Sequence, residues 1–148
     1  MRDLKMRNKK QIFVAEDTDD DFFLLKRAFS RQMPDAELCR AEDGISAIEM
    51  LGGYLSVFAT PDLILLDLKM PRLDGLGVLR WIRSQQGFSG TAVVILSSSD
   101  QPENIRQAYE AGATSFHVKP TSLAELERFV KAMSSLGARF GISLIQQS

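Results

Sequence analysis

Cysteine is nearly absent from the sequence, which has only Cys39 among 148 residues. One cysteine excludes an internal disulfide and a zinc site built from several thiolates. It also fits a reducing compartment, so we expect a cytoplasmic protein. No apolar run approaches the roughly 20 residues that a membrane-spanning helix needs, and the amino terminus lacks the apolar core of an export signal. We therefore expect no association with a membrane.

An excess of one charge is also lacking. The chain has 18 basic and 19 acidic residues, which give a net charge of -1, so its composition offers no case for direct DNA binding. Hydrophobic residues make up 45%, which argues against disorder. A chain of this length is expected to form one domain with a sizeable core. Residues 1–10 are rich in lysine and arginine and are predicted to be a solvated tail.

Short apolar runs alternate five times with amphipathic segments. The predicted strands are residues 11–15, 36–41, 63–66, 91–96 and 115–118, and helices are predicted over 22–32, over 45–51, from 76 to near 87, from 102 to about 111, and after 122. Gly52 and Gly53 are predicted to end the second helix. Such alternation favours a parallel sheet with right-handed crossovers and helices on both faces. The expected fold is a doubly wound α/β sheet of five strands in the order 2-1-3-4-5.

The predicted third strand leads directly to a carboxylate. Its apolar run, Leu63 to Leu66, is typical of a central strand that is buried on both faces. Asp67 follows at the carboxyl end, the edge at which open α/β sheets bind ligands. Pro71 and the Asp74-Gly75 pair then predict a loop. The strand therefore delivers one carboxylate to the rim of the sheet.

The predicted first strand ends in five carboxylates within the six residues 16–21. Such crowding is self-repulsive without a cation. Asp20 and Asp21 fit the start of the following helix, where acids complement the helix dipole. Glu16 and Asp17 lie at the strand end and have no such explanation, which makes them candidate metal ligands.

The predicted fourth and fifth strands end in Ser97 and Lys119. At one rim, the carboxylates would meet this hydroxyl and this ammonium. Ligation by oxygen alone suits Mg²⁺, which can polarise a phosphoryl group. Lys119 supplies a positive charge for phosphate oxygens, and Ser97 supplies a hydrogen bond. These groups suggest in-line phosphoryl transfer to a carboxylate nucleophile, which yields an acyl phosphate.

Over residues 11–135 the chain resembles the receiver domain of two-component response regulators, which has the CheY-like fold. The motifs that match the family in order and spacing are Glu16-Asp17, Asp67 with Met70-Pro71 and Asp74-Gly75, Ser97, and Lys119-Pro120. The resemblance implies that Asp67 is the phosphoacceptor. It also implies that Asp17 and Asp67 bind Mg²⁺ directly, that Glu16 often binds it through water, and that the Lys69 carbonyl oxygen completes the protein ligands.

The resemblance assigns further roles. Ser97 would be the switch hydroxyl, although threonine is commoner in the family, and Phe116 the switch aromatic, where the frequent tyrosine would add a hydroxyl. The Lys119–Pro120 peptide bond is often cis in the family, and the resemblance therefore suggests a cis bond that would aim the lysine. Spacing alone, and not the resemblance, suggests a role for Lys69: two residues past Asp67, it could reach over the phosphoryl group and shield it from water, or it could face solvent.

The resemblance extends to stand-alone receivers, including those that serve bacteriophytochrome kinases. It implies a sensor histidine kinase or a phosphotransfer protein as donor, since the lone His117 is interpreted as structural or exposed. We expect a signalling protein that assists its own phosphorylation and dephosphorylation and is not a metabolic enzyme. Few residues follow the last helix, so no DNA-binding or catalytic output domain is expected.

Residues 136–148 are interpreted as a carboxy-terminal extension whose apolar residues include Ile142, Leu144 and Ile145. Exposed apolar clusters favour a partner. The family commonly pairs through the face made by the fourth helix, fifth strand and fifth helix. We therefore expect a symmetric homodimer through that face, the alternative being an extension that folds back over its own core.

Three other functions compete with this interpretation. A phosphohydrolase of the haloacid dehalogenase type normally has a second acid two residues after its nucleophile, where this chain has Lys69. A flavodoxin-like cofactor binder needs a phosphate loop after the first strand, where the acids of residues 16–21 would repel phosphate. A receiver used unphosphorylated as a scaffold has no need of the intact acidic pair and Lys119.

Overall fold

The computed structural model describes residues 9–136, in which strands and helices alternate along the chain. The strands are β1 (Gln11–Ala15), β2 (Glu37–Ala41), β3 (Leu63–Leu66), β4 (Ala92–Ser97) and β5 (Ser115–Val118). The helices are α1 (Asp19–Gln32), α2 (Gly44–Ser56), α3 (Gly75–Ser84), α4 (Pro102–Glu110) and α5 (Leu123–Leu136), with a short 3₁₀ helix, Gln86–Phe88, after α3. No helix within this described part is long and apolar enough to cross a membrane.

The strands form one sheet in the order β2-β1-β3-β4-β5, and every neighbouring pair is parallel. The predicted fold class and strand order are therefore confirmed. β3 is buried along its whole length because it lies between β1 and β4 and is covered on both faces. All five strands point the same way, so their carboxyl ends meet at one rim.

Alternate side chains of each strand pack on opposite faces of the sheet. Phe13 and Ile64 belong to the core cluster that holds α2 and α3 against one face. Val14 and Leu65, their neighbours in sequence, belong to the cluster under α1 and α5 on the other face. Full burial of a side chain of this size contributes about 1.5–3 kcal/mol, so both clusters stabilise the sheet that positions the rim.

Helix α2 runs to Ser56, so the prediction that Gly52 and Gly53 end it is wrong. Each glycine in an exposed helix interior lowers the stability of the helix by roughly 1 kcal/mol relative to alanine. The apolar stripe continues past them, however, because Leu51 is buried in the core and Leu55 packs against it. Tertiary packing thus outweighs the local preference of glycine, as is usual for helices in proteins.

Arg83, at the end of α3, joins the α3–β4 connection to the α4–β5 connection. Its guanidinium donates hydrogen bonds of 2.8, 2.8 and 2.9 Å to the carbonyl oxygens of Gly112, Phe88 and Thr91. Burial lowers the pKa of Arg83, but the carbonyl oxygens compensate the buried charge. This clamp holds the segments that lead into β4 and β5, and thereby the strands that carry Ser97 and Lys119.

Candidate functional site

Three carboxylates meet at the carboxyl rim of the sheet. Glu16 follows β1, and its backbone N–H donates to the Ala41 carbonyl at 3.0 Å. Asp67 follows β3, and its N–H donates to the Ala15 carbonyl at 3.1 Å. The sheet ladder therefore extends to both acids and fixes their backbone. Carboxylate oxygens of Glu16, Asp17 and Asp67 all lie within 4.8 Å of one another.

This donor set fits a divalent cation. Glu16 and Asp67 are 5% and 7% exposed, whereas Asp17 faces solvent, so a bound cation would keep access to water. Burial raises the pKa of Glu16, and the hydrogen bond from Lys119 opposes that rise. Hard oxygen ligands with an open, hydrated side are what Mg²⁺ prefers. The chemistry of the carboxylates therefore fits a metal site of this kind.

The ammonium of Lys119 contacts three carboxylates at the rim of the sheet. Its Nζ lies 2.8 Å from Glu16 Oε1, 2.9 Å from Asp21 Oδ2 and 3.0 Å from Asp67 Oδ2. Burial alone would lower the pKa of Lys119, but its hydrogen bonds to Glu16 and Asp21 and the charge of Asp67 raise that pKa above its usual value. The ammonium therefore stays charged at neutral pH.

The peptide bond between Lys119 and Pro120 is trans, since the described residues contain no cis peptide bond. The expectation of a cis bond is therefore wrong for this structure. The backbone of Lys119 is held by its own N–H, which donates to the Ser97 carbonyl at 2.7 Å. That bond continues the β4–β5 ladder and directs the side chain to the acids without a cis turn.

Asp21 belongs to the site, although its place in the sequence indicated only the start of a helix. Helix α1 begins at Asp19, three residues earlier than predicted, so Asp21 lies in its first turn. It precedes Leu25, Ala28 and Phe29, the buried residues of α1, at helical spacing. A carboxylate on the buried stripe was the available signal that Asp21 faces the rim.

Ser97 and Phe116 occupy neighbouring strands beside this rim. Ser97 is the last residue of β4 and is fully buried, and its Oγ accepts a hydrogen bond of 3.1 Å from the Ser99 N–H. Phe116 packs against the core under α2 and α3. Its N–H, on the outer edge of the sheet, donates at 3.2 Å to the hydroxyl of Tyr109 on α4. Their roles as switch residues stay predictions.

Lys69 is exposed and lines a cleft beside Ser97. Its backbone N–H donates to Asp67 Oδ1 at 3.2 Å, so the chain turns around the carboxylate of Asp67. Metal ligation by the Lys69 carbonyl oxygen stays a prediction.

The turn after Asp67 closes against a glycine. Gly75 is the first residue of α3, and Asp74 caps the helix by accepting a 2.9 Å hydrogen bond from the Gly77 N–H. The predicted loop therefore ends one residue earlier than expected. A Cβ added to Gly75 would lie 2.1 Å from the Asp67 carbonyl oxygen, which is far inside van der Waals contact. Only glycine allows α3 to begin this close to Asp67.

Arg40, on β2, supports the acidic loop and was not identified from the sequence. Its Nε donates to the Glu16 carbonyl at 2.9 Å, and its Nη1 lies 2.8 Å from Asp19 Oδ1. The guanidinium also lies 4.9 Å from the ring centre of Phe22. Since β2 is far from the loop in sequence and adjacent in the sheet, no local pattern could reveal this contact.

His117 lies away from these charged groups. Its Nε2 is 3.1 Å from Ser115 Oγ, and its ring centre is 5.2 Å from that of Phe129 on α5. Burial lowers the pKa of His117. These contacts support a structural role for this side chain.

Residues 12–131 match the family model described as the response regulator receiver domain. The chain is 30% identical to response regulator Rcp1 of Synechocystis sp. over 128 residues, which cover 85% of this chain and 87% of Rcp1. It is 32% identical to a probable methanogenesis regulatory protein, FilR2, of Methanothrix harundinacea over 124 residues, which cover 81% and 78% of the two chains.

Solved structures give the same result. The phosphorylated cyanobacterial phytochrome response regulator RcpA is similar with a TM-score of 0.78 at 32% identity, covering 86% of this chain and 93% of RcpA. The Mn²⁺-bound form of Rcp1 is similar with a TM-score of 0.75 at 30% identity, covering 85% and 92%. The acidic rim, the strand order and these matches together show that the chain belongs to the response regulator receiver domain family.

Proposed function

We propose that Asp67 accepts a phosphoryl group from a histidine of a partner protein, and that the chain signals through the resulting change of its surface. The observation that supports this most directly is the position of Asp67. It ends the central strand, is nearly buried, and lies among two further carboxylates and the ammonium of Lys119. A receiver domain of this kind is a signalling module and not a metabolic enzyme.

In the proposed step, a carboxylate oxygen of Asp67 attacks phosphorus. A P–O bond forms and the P–N bond to the donor imidazole breaks. The donor ring is protonated on its other nitrogen, so the departing nitrogen keeps the electron pair and a neutral imidazole leaves. Lys119 and Ser97 donate hydrogen bonds to phosphoryl oxygens, which stabilises the charge in the transition state. Movement of Ser97 towards the phosphoryl group would then free space for Phe116 to turn inward, which alters the α4–β5 surface.

Glu16, Asp17 and Asp67 would hold a divalent cation, and we propose Mg²⁺ as that cation. When bound, such an ion offsets the charge of the carboxylates and of the phosphoryl oxygens. The Rcp1 structure with Mn²⁺ supports a divalent ion in this family, and the oxygen-only donor set of this chain supports a hard one.

Labelling of the wild-type chain tests this function. Acetyl phosphate with Mg²⁺ should add one phosphoryl group, detected as a mass increase of the intact chain. Borohydride reduction followed by peptide mass spectrometry should locate the modification at Asp67. Chelation of the metal should suppress labelling. A label on another residue, or equal labelling after chelation, would contradict the proposed site.

We propose that this chain is cytoplasmic and that a sensor histidine kinase, or a phosphotransfer protein, is its physiological phosphoryl donor. The similarity to RcpA, a phytochrome response regulator, makes a phytochrome kinase, including a bacteriophytochrome, the first candidate. Phosphotransfer from each purified kinase of the source organism, compared at short reaction times, would identify the partner. Preferred transfer from a kinase without a phytochrome photosensor would reject this candidate.

Mg²⁺ should raise the melting temperature of the wild-type chain, because it binds the folded carboxylates and relieves their repulsion. At a concentration of ten times Kd, binding should stabilise the fold by about 1.4 kcal/mol. Asp17→Ala should lose most of this gain. Asp20→Ala removes an exposed acid in the first turn of α1 and should keep the Mg²⁺ stabilisation. Equal Mg²⁺ stabilisation of the two variants would place the ion elsewhere.

Lys69→Ala should shorten the life of the acyl phosphate several-fold, because the exposed ammonium would no longer shield the phosphoryl group from water. The measurement is the decay of the phosphorylated chain after donor removal. Arg72→Ala removes another exposed cation of the same loop and serves as the control. Decay of Lys69→Ala at the wild-type rate would reject the shielding role.

We propose a symmetric homodimer through the face formed by α4, β5 and α5, to which the carboxy-terminal extension contributes. Ile142, Leu144 and Ile145 lie outside the described residues. On this face, Val118 is 49% exposed. Val118→Glu should therefore weaken the dimer in light scattering, whereas Phe58→Glu, at a 99% exposed site elsewhere, should not. Removal of residues 136–148 should also weaken it. A monomer at high concentration, with and without a phosphoryl mimic, would contradict the proposal.

A further inference from the structure

We infer that Asp21 is a positioning residue that competes with the incoming phosphoryl group for the ammonium of Lys119. The inference rests on the proposed phosphorylation of Asp67 and identifies a control element of that same site. Asp21 lies outside the acidic pair, and the resemblance to receivers assigns it no role. The three-way contact of Lys119 with Glu16, Asp21 and Asp67 supports the inference.

The donors of Lys119 are all in use. An ammonium has three N–H groups, and Nζ has one carboxylate partner for each of them, at 2.8, 2.9 and 3.0 Å. A phosphoryl oxygen can gain a hydrogen bond from Lys119 only if one of these three partners releases it. The rate of phosphorylation therefore depends on which of the three carboxylates loses its hydrogen bond to Lys119, and on how readily that bond breaks.

Of the three hydrogen bonds of Lys119, the one to Asp21 is lost at the smallest cost in free energy. The side chain of Asp21 is 43% exposed, against 7% for Glu16 and 8% for Asp67. Water can replace the lost hydrogen bond of an exposed carboxylate. The buried carboxylate of Glu16 would instead lose its ion-pair partner and keep only the 3.2 Å hydrogen bond from the Thr18 N–H, which is strongly unfavourable for a buried charge. Asp67 keeps its negative charge, and its hydrogen bond from Lys119, until the acyl phosphate forms, so Asp21 is the partner that must release Lys119 before phosphoryl transfer.

Asp21 therefore restrains Lys119 before phosphoryl transfer. It also adds one negative charge 2.9 Å from the ammonium that would bind an anionic donor. Substitution by asparagine keeps the size of the side chain and removes the charge, so it should release Lys119 more readily and repel the donor less. For one charge at several ångströms near a protein surface, the expected acceleration is roughly five- to tenfold.

The test compares the initial rate of labelling by acetyl phosphate at saturating Mg²⁺ for the wild-type chain, Asp21→Asn and Asp20→Asn. Asp20 is exposed, is adjacent in the same helical turn and loses the same charge, but it does not contact Lys119. Asp21→Asn should label roughly five- to tenfold faster than wild type, and Asp20→Asn should stay within about twofold because exposed charges are screened. Asp21→Ser repeats the test if the asparagine variant is unstable.

A double-mutant cycle separates competition for Lys119 from a general change of the fold. In the Lys119→Gln background, Asp21→Asn should lose most of its accelerating effect, because contacting residues are coupled and distant ones are additive. Equal rates for Asp21→Asn and Asp20→Asn, slower labelling of Asp21→Asn, or an undiminished acceleration without Lys119 would overturn the inference. Failure of the wild-type chain to label contradicts the proposed function instead.

Discussion

Asp67→Asn should abolish labelling by acetyl phosphate, because the amide nitrogen and oxygen of asparagine cannot replace the carboxylate nucleophile. Loss should be complete within the detection limit of intact-mass measurement. Lys119 retains Glu16 and Asp21 as partners, so the free energy of unfolding should change by only about 1 kcal/mol. Loss of activity with a folded chain would separate the chemistry of Asp67 from its contribution to stability.

Asp62→Asn is the matched control for this variant. Asp62 immediately precedes β3, at the opposite end from Asp67, and accepts a 2.7 Å hydrogen bond from the Gln11 N–H. It should label at the wild-type rate. Equal phosphoryl incorporation into wild type and Asp67→Asn would overturn the assignment of the phosphoacceptor.

Gly75→Ala should both destabilise the chain and slow labelling. The new Cβ would lie 2.1 Å from the Asp67 carbonyl oxygen and 2.8 Å from the Leu68 Cα, so the start of α3 must move away from the turn that holds Asp67. Because both contacts are with backbone, a side-chain rotation cannot relieve them. Overpacking of this kind costs about 1–3 kcal/mol, and a shift of about 1 Å at a reacting group can slow a reaction about 100-fold.

Gly53→Ala provides the control for glycine replacement in general. A Cβ at Gly53 would meet no atom within 4 Å, and this residue lies within the long helix α2. This variant should be more stable than wild type by about 0.5–1 kcal/mol and should label normally. Chemical denaturation gives the stabilities, and acetyl phosphate labelling gives the rates. If Gly75→Ala matched wild type in both measurements, the close approach of α3 to Asp67 would not matter for function.

Much of the fold follows from local pattern. Short, wholly apolar runs such as Leu63–Leu66 indicate strands that are buried on both faces of a sheet. Because these runs alternate with amphipathic helices, few topologies are possible. The position of Asp67 directly after such a run places it at the rim of the sheet. The amino-acid sequence by itself therefore determined the fold class, the strand order and the convergence of Glu16, Asp17 and Asp67.

Tertiary structure alone decided how the charges at the rim are paired. Asp21 and Lys119 are 98 residues apart in sequence, and Arg40 reaches the Glu16 loop only because β2 lies beside β1. The contact between Gly75 and the Asp67 peptide likewise depends on where α3 begins. Local periodicity shows which face of an element is buried. The partners of a polar side chain at the rim depend on segments that meet only after the sheet has formed.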